Sequence, residues 1–439
     1  MLAATQIVAG ISLPLVHGSE LLKAITIPLF TGAIGYVINW TGVWMLFYPV
    51  RFAGFRLPGL APMVTLLPRK IQQIPGFMHG AVGRQGIIPS RAAKMGSIAV
   101  DKGIAKLGTP SEFYKRLDPE AIAEHILASS REDIREVVER IMEREHPQLW
   151  HDLPPQVREG VHQRVQDQLP EIVQEMTDDI GDNIDHLMDV KLMVIRHIEA
   201  HPELMNRIFL EMGRKELRFI INFGFFFGLL QGIPLVFITQ AIPQWWVLPI
   251  GGVIIGYVTN WVALWMIFEP AEPRKIGPLK VHGLFIRRQP EVAGVYAKII
   301  ADDVVTLSHM GDELMYGRKS DRTRRLIEKR LRPSVDRALG PARPLVRVAV
   351  GTRRYDAIRE GVATEAVEYA ITPMKDEEFG RQQSSEIREL ISDRMRDMPP
   401  ADFADMLRSA MREDEWLLLL HGAVLGFAAG LLHLAIFGV

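Results

Sequence analysis

The chain has 439 residues, 51 Lys and Arg against 52 Asp and Glu, no cysteine, and 48% hydrophobic residues. A net charge of −1 provides no electrostatic drive toward nucleic acid. The lack of cysteine excludes disulfides, thiolate metal sites, iron–sulfur clusters and cysteine nucleophiles.

Charge is not spread evenly. Four windows of 24 residues, 24–47, 219–242, 245–268 and 416–439, hold no Asp, Glu, Lys or Arg, so every charged side chain lies outside them. A helix of that length extends about 36 Å, enough to cross a hydrocarbon core of about 30 Å with some tilt. The expected fold class is an all-α integral membrane protein with four transmembrane helices in two tandem repeats, each repeat carrying an elongated helical soluble domain.

In chain order, 1–20 is a short apolar segment interrupted by Pro14 and lacking the basic start of a secretory signal, expected to lie at the interface or half-inserted. The first span, 21–48, carries Asn39 and Trp40. A polar stretch over 49–216 follows, opening on an irregular Pro- and Gly-rich interfacial loop. The second span, 217–242, bears the stripe Gly224, Gly228, Gly232. The third, 245–268, carries Thr259, Asn260 and Trp261. A second polar stretch covers 269–415, and the last span, 416–439, bears Gly422, Gly426, Gly430.

The order is a duplication. The fifteen residues from Gly35 to Pro49 align without a gap on Gly256 to Pro270 at an offset of 221, and nine are identical. The two glycine stripes align at an offset of 198, and Gly86 with Arg91 aligns on Gly283 with Arg288 at 197. Repeats with two spans each share one orientation, so an axis along the membrane normal should relate them. Fourteen Lys and Arg flank the spans on the side of the polar stretches, against Lys23 alone on the other, which places both polar domains in the cytoplasm.

Within the polar stretches, Ser130-Arg131-Glu132-Asp133 resembles a capping box before a helix, and Asp118-Pro119-Glu120 supplies another helix start. Val157, Val161 and Val165 form one apolar stripe; Ile172, Val173, Met176, Ile180, Ile184 and Leu187 form a second. The helix after Pro202 is expected to run unbroken into the second span.

Asn39 and Asn260 lie about 12 Å inside the apolar layer by helical rise. Each amide needs a partner, either another helix, for instance the other Asn, or a transported molecule. The glycine stripes favour helix packing, within the chain or between copies. Arg69, Lys70 and Arg84 in the Pro/Gly-rich loop, and Arg287 and Arg288 after the third span, are candidate contacts for acidic lipid headgroups. His197 and His201 have a metal-compatible spacing without the remaining signature and read as solvated, as does the acidic face of Asp178, Asp182, Asp185 and Asp189. His421 and His433 are the ionisable side chains inside the spans. No nucleophile elbow, phosphate loop, dinucleotide fingerprint or kinase set is present. No catalytic residue, metal site or cofactor is expected.

The segment from Gly256 to Pro270, Gly283-Leu284-Phe285-Ile286-Arg287-Arg288, and the glycine stripes preceded by Lys215-Glu216-Leu217-Arg218 resemble the bacterial membrane proteins of the YheB/YjiN type, catalogued as a domain of unknown function. The first copy departs from that pattern at Ile38 and Gly42, where the second has Thr259 and Ala263. The resemblance implies a helical protein of a bacterial membrane and no assigned activity.

The sequence therefore predicts a non-enzymatic inner-membrane protein that presents its helical domains to membrane lipid, to a protein partner or to another copy of itself. The alternative is a passive conduit or lipid carrier with a path between the repeats, lined by Asn39, Asn260 and the glycine stripes. A third option is an enzyme acting on a membrane-embedded substrate.

Overall fold

The computed structural model describes residues 20–56, 81–104, 106, 108–145, 147–276, 279–340, 343–369, 372–409 and 411–437. The N-terminal segment and the loop holding Arg69 and Lys70 lie outside the described residues. Contacts divide the chain into two compact units. One is drawn from Met1–Ala99, Ile198–Val295 and Met395–Val439, the other from Val100–His197 and Tyr296–Arg394.

The first unit contains four helices long and apolar enough to cross a membrane: α1 (Glu20–Phe47), α2 (Glu203–Ala241), α3 (Val247–Phe268) and α4 (Glu415–Phe437). α2 has 39 residues, a polar first third continuous with its apolar part. Only 28% of its apolar window is buried. Phe226, Phe237, Ile254 and Val424 point outward and exposed. An apolar exterior of this extent suits hydrocarbon and not water.

α1 packs along α2, and α3 along α4, both antiparallel. The glycines make this possible. A Cβ on Gly35 would fall on the Gly224 carbonyl, and one on Gly224 on the Gly35 carbonyl. Gly256 and Gly422 stand in the same relation, as do Gly252 and Gly426. Backbone lies directly on backbone, and dispersion between small residues holds each pair. Between the pairs, α2 meets α3 and α1 meets α4 less intimately, and α1 and α3 barely touch. Ile27, Leu235, Val236, Val247 and Leu248 fill one end of the bundle.

α1 and α3 each end at a cis peptide bond, Tyr48–Pro49 and Glu269–Pro270. Each then enters a short antiparallel hairpin, β1 (Ala53–Arg56) with β2 (Ala81–Arg84), and β3 (Arg274–Ile276) with β4 (Leu279–Val281). The expected all-α reading missed these strands, which are too short to show a period of two. Backbone bonds close both junctions: Gly86 donates to the Pro49 carbonyl at 2.8 Å and Gly283 to that of Pro270 at 3.0 Å.

The second unit is helical. Pro119–Glu145 packs on Pro155–Leu187, Ser320–Leu339 packs on Thr352–Tyr369, and the two hairpins pack on each other. The middle parts of the two polar stretches, Val100–His197 and Tyr296–Arg394, share this unit. Arg330 pairs with Asp179, and Arg337 with Glu171 at 3.4 Å, across the two hairpins. Ala123, Leu169 and Val173 form a core cluster.

Two local expectations need correction. No helix starts at Ser130, because Asp118 caps the helix at Pro119 by accepting from Ala121 at 3.2 Å, and that helix runs on through Glu145. The reciprocal capping box is at Thr109 and Glu112. The Val157 stripe does not face the core either: Val157 is exposed while His162 and Leu169 are buried, so the buried face lies a fraction of a turn away. The stripe from Ile172 to Leu187 is mostly buried, with Met176 at its edge.

Glu313 is buried in this unit, with the half-exposed Arg196 guanidinium 3.9 Å away. Burial pushes its carboxyl up, against the pull of Arg196. The folded state therefore binds a proton more readily than the unfolded chain, and stability falls as pH rises through the raised value. Glu313→Gln should melt higher than wild type near neutral pH, and the gain should vanish toward about pH 4, the ordinary carboxylate range. A lower melting midpoint at neutral pH would show that Arg196 compensates the burial.

Candidate functional site

The polar groups inside the apolar bundle are the candidates for function, and their partners decide what they can do. Asn39 is 2% exposed and its amide nitrogen donates to the Ile220 carbonyl of α2 at 2.6 Å. Asn260 is 7% exposed and donates to the Leu418 carbonyl of α4 at 2.6 Å. The two asparagines do not bond each other. Each is tied to the backbone of the glycine helix beside it, next to Gly224 and Gly422. An exposed peptide oxygen is reachable here because the glycines bring the helices so close. Asn39 Oδ1 has no partner among the described residues.

Thr259 is 1% exposed, and its hydroxyl receives the Gln231 amide at 3.3 Å. Thr41 and the His421 ring nitrogen lie 3.1 Å apart. Each Asn-to-backbone bond should contribute about 1–2 kcal/mol. Asn39→Ala and Asn260→Ala are each expected to lower the resistance of the purified protein to denaturant by that amount, and together by their sum. Two neutral single variants would show that the bonds are idle.

Between the clamped pairs the bundle holds two cavities. An apolar cavity of about 820 Å³, its mouth included, is bordered by Asn39, Leu46, Glu216, Asn260, Phe268 and Leu418. A second of about 490 Å³ is bordered by Ile27, Thr31, Ile38, Leu248, Thr259 and His433. The lining residues run consecutively along α1 and α3, so the cavities follow one seam between the helix pairs. Of the glycine stripes only Gly426 and Gly430 border this seam, beside Gly35, Gly252 and Gly256 of α1 and α3; Gly224, Gly228, Gly232 and Gly422 are spent on packing.

Ion pairs close one end of the bundle. Arg91 reaches Asp414 at 3.1 Å, and Arg288 grips both oxygens of Glu216 at 2.5 and 2.6 Å. Arg288 also bonds Glu291, whose carboxyl is held down to about 2 by the hydrogen bonds from Arg288 and then Lys215. Lys94 pairs with Glu413, and Lys215 with Glu291 at 2.8 Å. Burial pushes the Asp414 carboxyl up, opposed by Arg91. Arg288 is thereby committed to protein carboxylates, while Arg287 is exposed. Arg84 lies over the Trp44 ring, 3.6 Å from its centroid, a cation–π contact. Trp40, Trp245, Trp246 and Trp261 are exposed at the bundle surface.

No group of three or more metal-ligating side chains occurs among the described residues. The His197 ring lies 4.1 Å from that of His309, and His201 faces Glu203 at 3.3 Å. Asp189 caps a helix by accepting from Leu192, and Asp178 accepts from Gln174. Comparison of the chain with protein-family models, curated proteins and solved structures finds no match.

Proposed function

We propose that this chain is a non-enzymatic protein of the bacterial inner membrane, a twofold-repeated helical anchor that presents its helical polar stretches at the cytoplasmic face to a partner or to the lipid surface. It would belong with the YheB/YjiN-type proteins it resembles. The observation that carries the reading is the use made of Asn39 and Asn260: both side chains border the larger cavity, yet both amide nitrogens are spent on the backbone of a glycine helix. The correspondence of bonds supports the duplication. The acceptors Ile220 and Leu418 are 198 apart, the offset of the glycine stripes, and Gln85 to Val50 recurs as His282 to Ala271.

The absence of native cysteine makes topology directly testable. Single cysteines replace Gln244 between α2 and α3, Arg164 and Glu389, all exposed. In spheroplasts an impermeant maleimide should label the Gln244→Cys protein, and should label the other two only after lysis. The opposite pattern overturns the cytoplasmic assignment.

The seam of cavities favours a second reading, a passive conduit or lipid carrier. Vesicles containing the purified protein would then move fluorescent phospholipid between leaflets faster than protein-free vesicles. The anchor reading expects equal rates.

A further inference from the structure

His433 lies on α4, 3% exposed, about 6 Å from the end of the helix by its rise. A neutral imidazole carries one N–H donor and one bare acceptor nitrogen. Neither ring nitrogen has a hydrogen-bond partner among the described residues. The rings of Phe30 and Phe437 lie 5.1 and 4.8 Å from its centroid. A phenyl face accepts an N–H weakly and offers nothing to the bare nitrogen. In hydrocarbon no bulk water makes up the difference.

His433 borders the smaller of the two cavities, about 490 Å³ with its open mouth included. The other polar side chains on its wall are Thr31 and Thr259. Thr31 turns its hydroxyl on the Ile27 and Pro28 carbonyls at 2.9 Å, and Thr259 receives Gln231. No charged side chain lines the cavity among the described residues, so an ionic headgroup would be desolvated without a counter-charge. A hydroxyl donates and accepts, and so satisfies the imidazole in either tautomer. We propose that this cavity binds an uncharged, membrane-soluble molecule bearing a hydroxyl, hydrogen-bonded to His433, with its hydrocarbon part against Ile27, Ile34 and Ile255. The site goes beyond both functional readings and stands or falls independently of them.

The probe is a photoreactive diazirine analogue of hexadecanol, added to the full chain in phospholipid nanodiscs and mapped by peptide mass spectrometry. Labelling should concentrate on α1 and α4 around residues 27–38 and 426–433. Excess unlabelled hexadecanol should compete, and hexadecane should not. His433→Phe, which keeps a ring and removes the nitrogens, should cut labelling about tenfold, the loss expected for one hydrogen bond, and Ala429→Phe, which fills the cavity, should cut it at least as much. Uncompeted labelling spread over outward residues such as Phe226 and Phe237 would overturn the site. Equal competition by hexadecane, or full labelling of a folded His433→Phe protein, would overturn the role of the imidazole. Competition is read on the wild type, so a variant that fails to fold leaves the test standing.

Discussion

Gly35→Ala should destabilise the bundle by about 4 kcal/mol or more, in the range reserved for severe steric lesions, while the same substitution at Gly42, two turns along the same helix, should be tolerated. The difference is geometric. A methyl at Gly35 collides with the Gly224 backbone, which moves only if α1 and α2 separate, and separation also breaks the bond from Asn39 to Ile220. At Gly42 the nearest atoms are side-chain carbons of His421 and Leu418, 3.7 and 3.8 Å away, an ordinary contact. There alanine should gain up to about 1 kcal/mol of helix propensity. Gly256→Ala should repeat the collapse in α3 and α4. Denaturant titration of the purified protein measures all three, and a Gly35→Ala protein as resistant as wild type would refute the close packing.

Glu216→Leu should cost about 1.5–3 kcal/mol, because it removes the buried two-oxygen partner of Arg288 and leaves that guanidinium only the half-exposed Glu291. Glu216 is 5% and Arg288 17% exposed at the side chain. The neighbouring pair of Lys94 with Glu413 is 45% and 65% exposed, and Lys94→Ala should cost no more than about 1 kcal/mol. The reversed order of charge in Lys94–Glu413 and Lys215–Glu291 allows a rescue. Lys94→Glu with Glu413→Lys should restore what either change alone removes. Equal losses for Glu216→Leu and Lys94→Ala would mean that burial does not set the strength of these pairs.

The four apolar helices were legible in the sequence because hydrocarbon excludes charge, and 24 uncharged residues leave little else for a helix to be. The glycines were legible as small and periodic, but not their partners: spacing says that a helix can be approached closely, never by which neighbour. Asn39 was recognisable as a buried amide in need of an acceptor. The acceptor is a backbone carbonyl, which no residue type marks. The clamps were beyond reach for another reason, since Arg91 and Asp414 are 323 positions apart and share no local pattern. The pairing of Pro155–Leu187 with Ser320–Leu339 is likewise non-local, and stripes on each helix reveal an apolar face without saying what covers it. At Ser130 local chemistry misled, because a good cap at Asp118 had already started the helix. His433 was visible as an ionisable group in a span, though not its lack of a partner.

The bond from Asn39 to Ile220 bears on how the protein is made. α1 leaves the ribosome 181 residues before the carbonyl that will receive its amide, and Asn260 waits 158 residues for Leu418. During both intervals the nascent chain holds a polar side chain at membrane depth with its final acceptor still unsynthesised. The insertion machinery must shelter each asparagine-bearing helix until its glycine-bearing mate arrives, and fragments released early would present proteolytic surveillance with an unsatisfied amide.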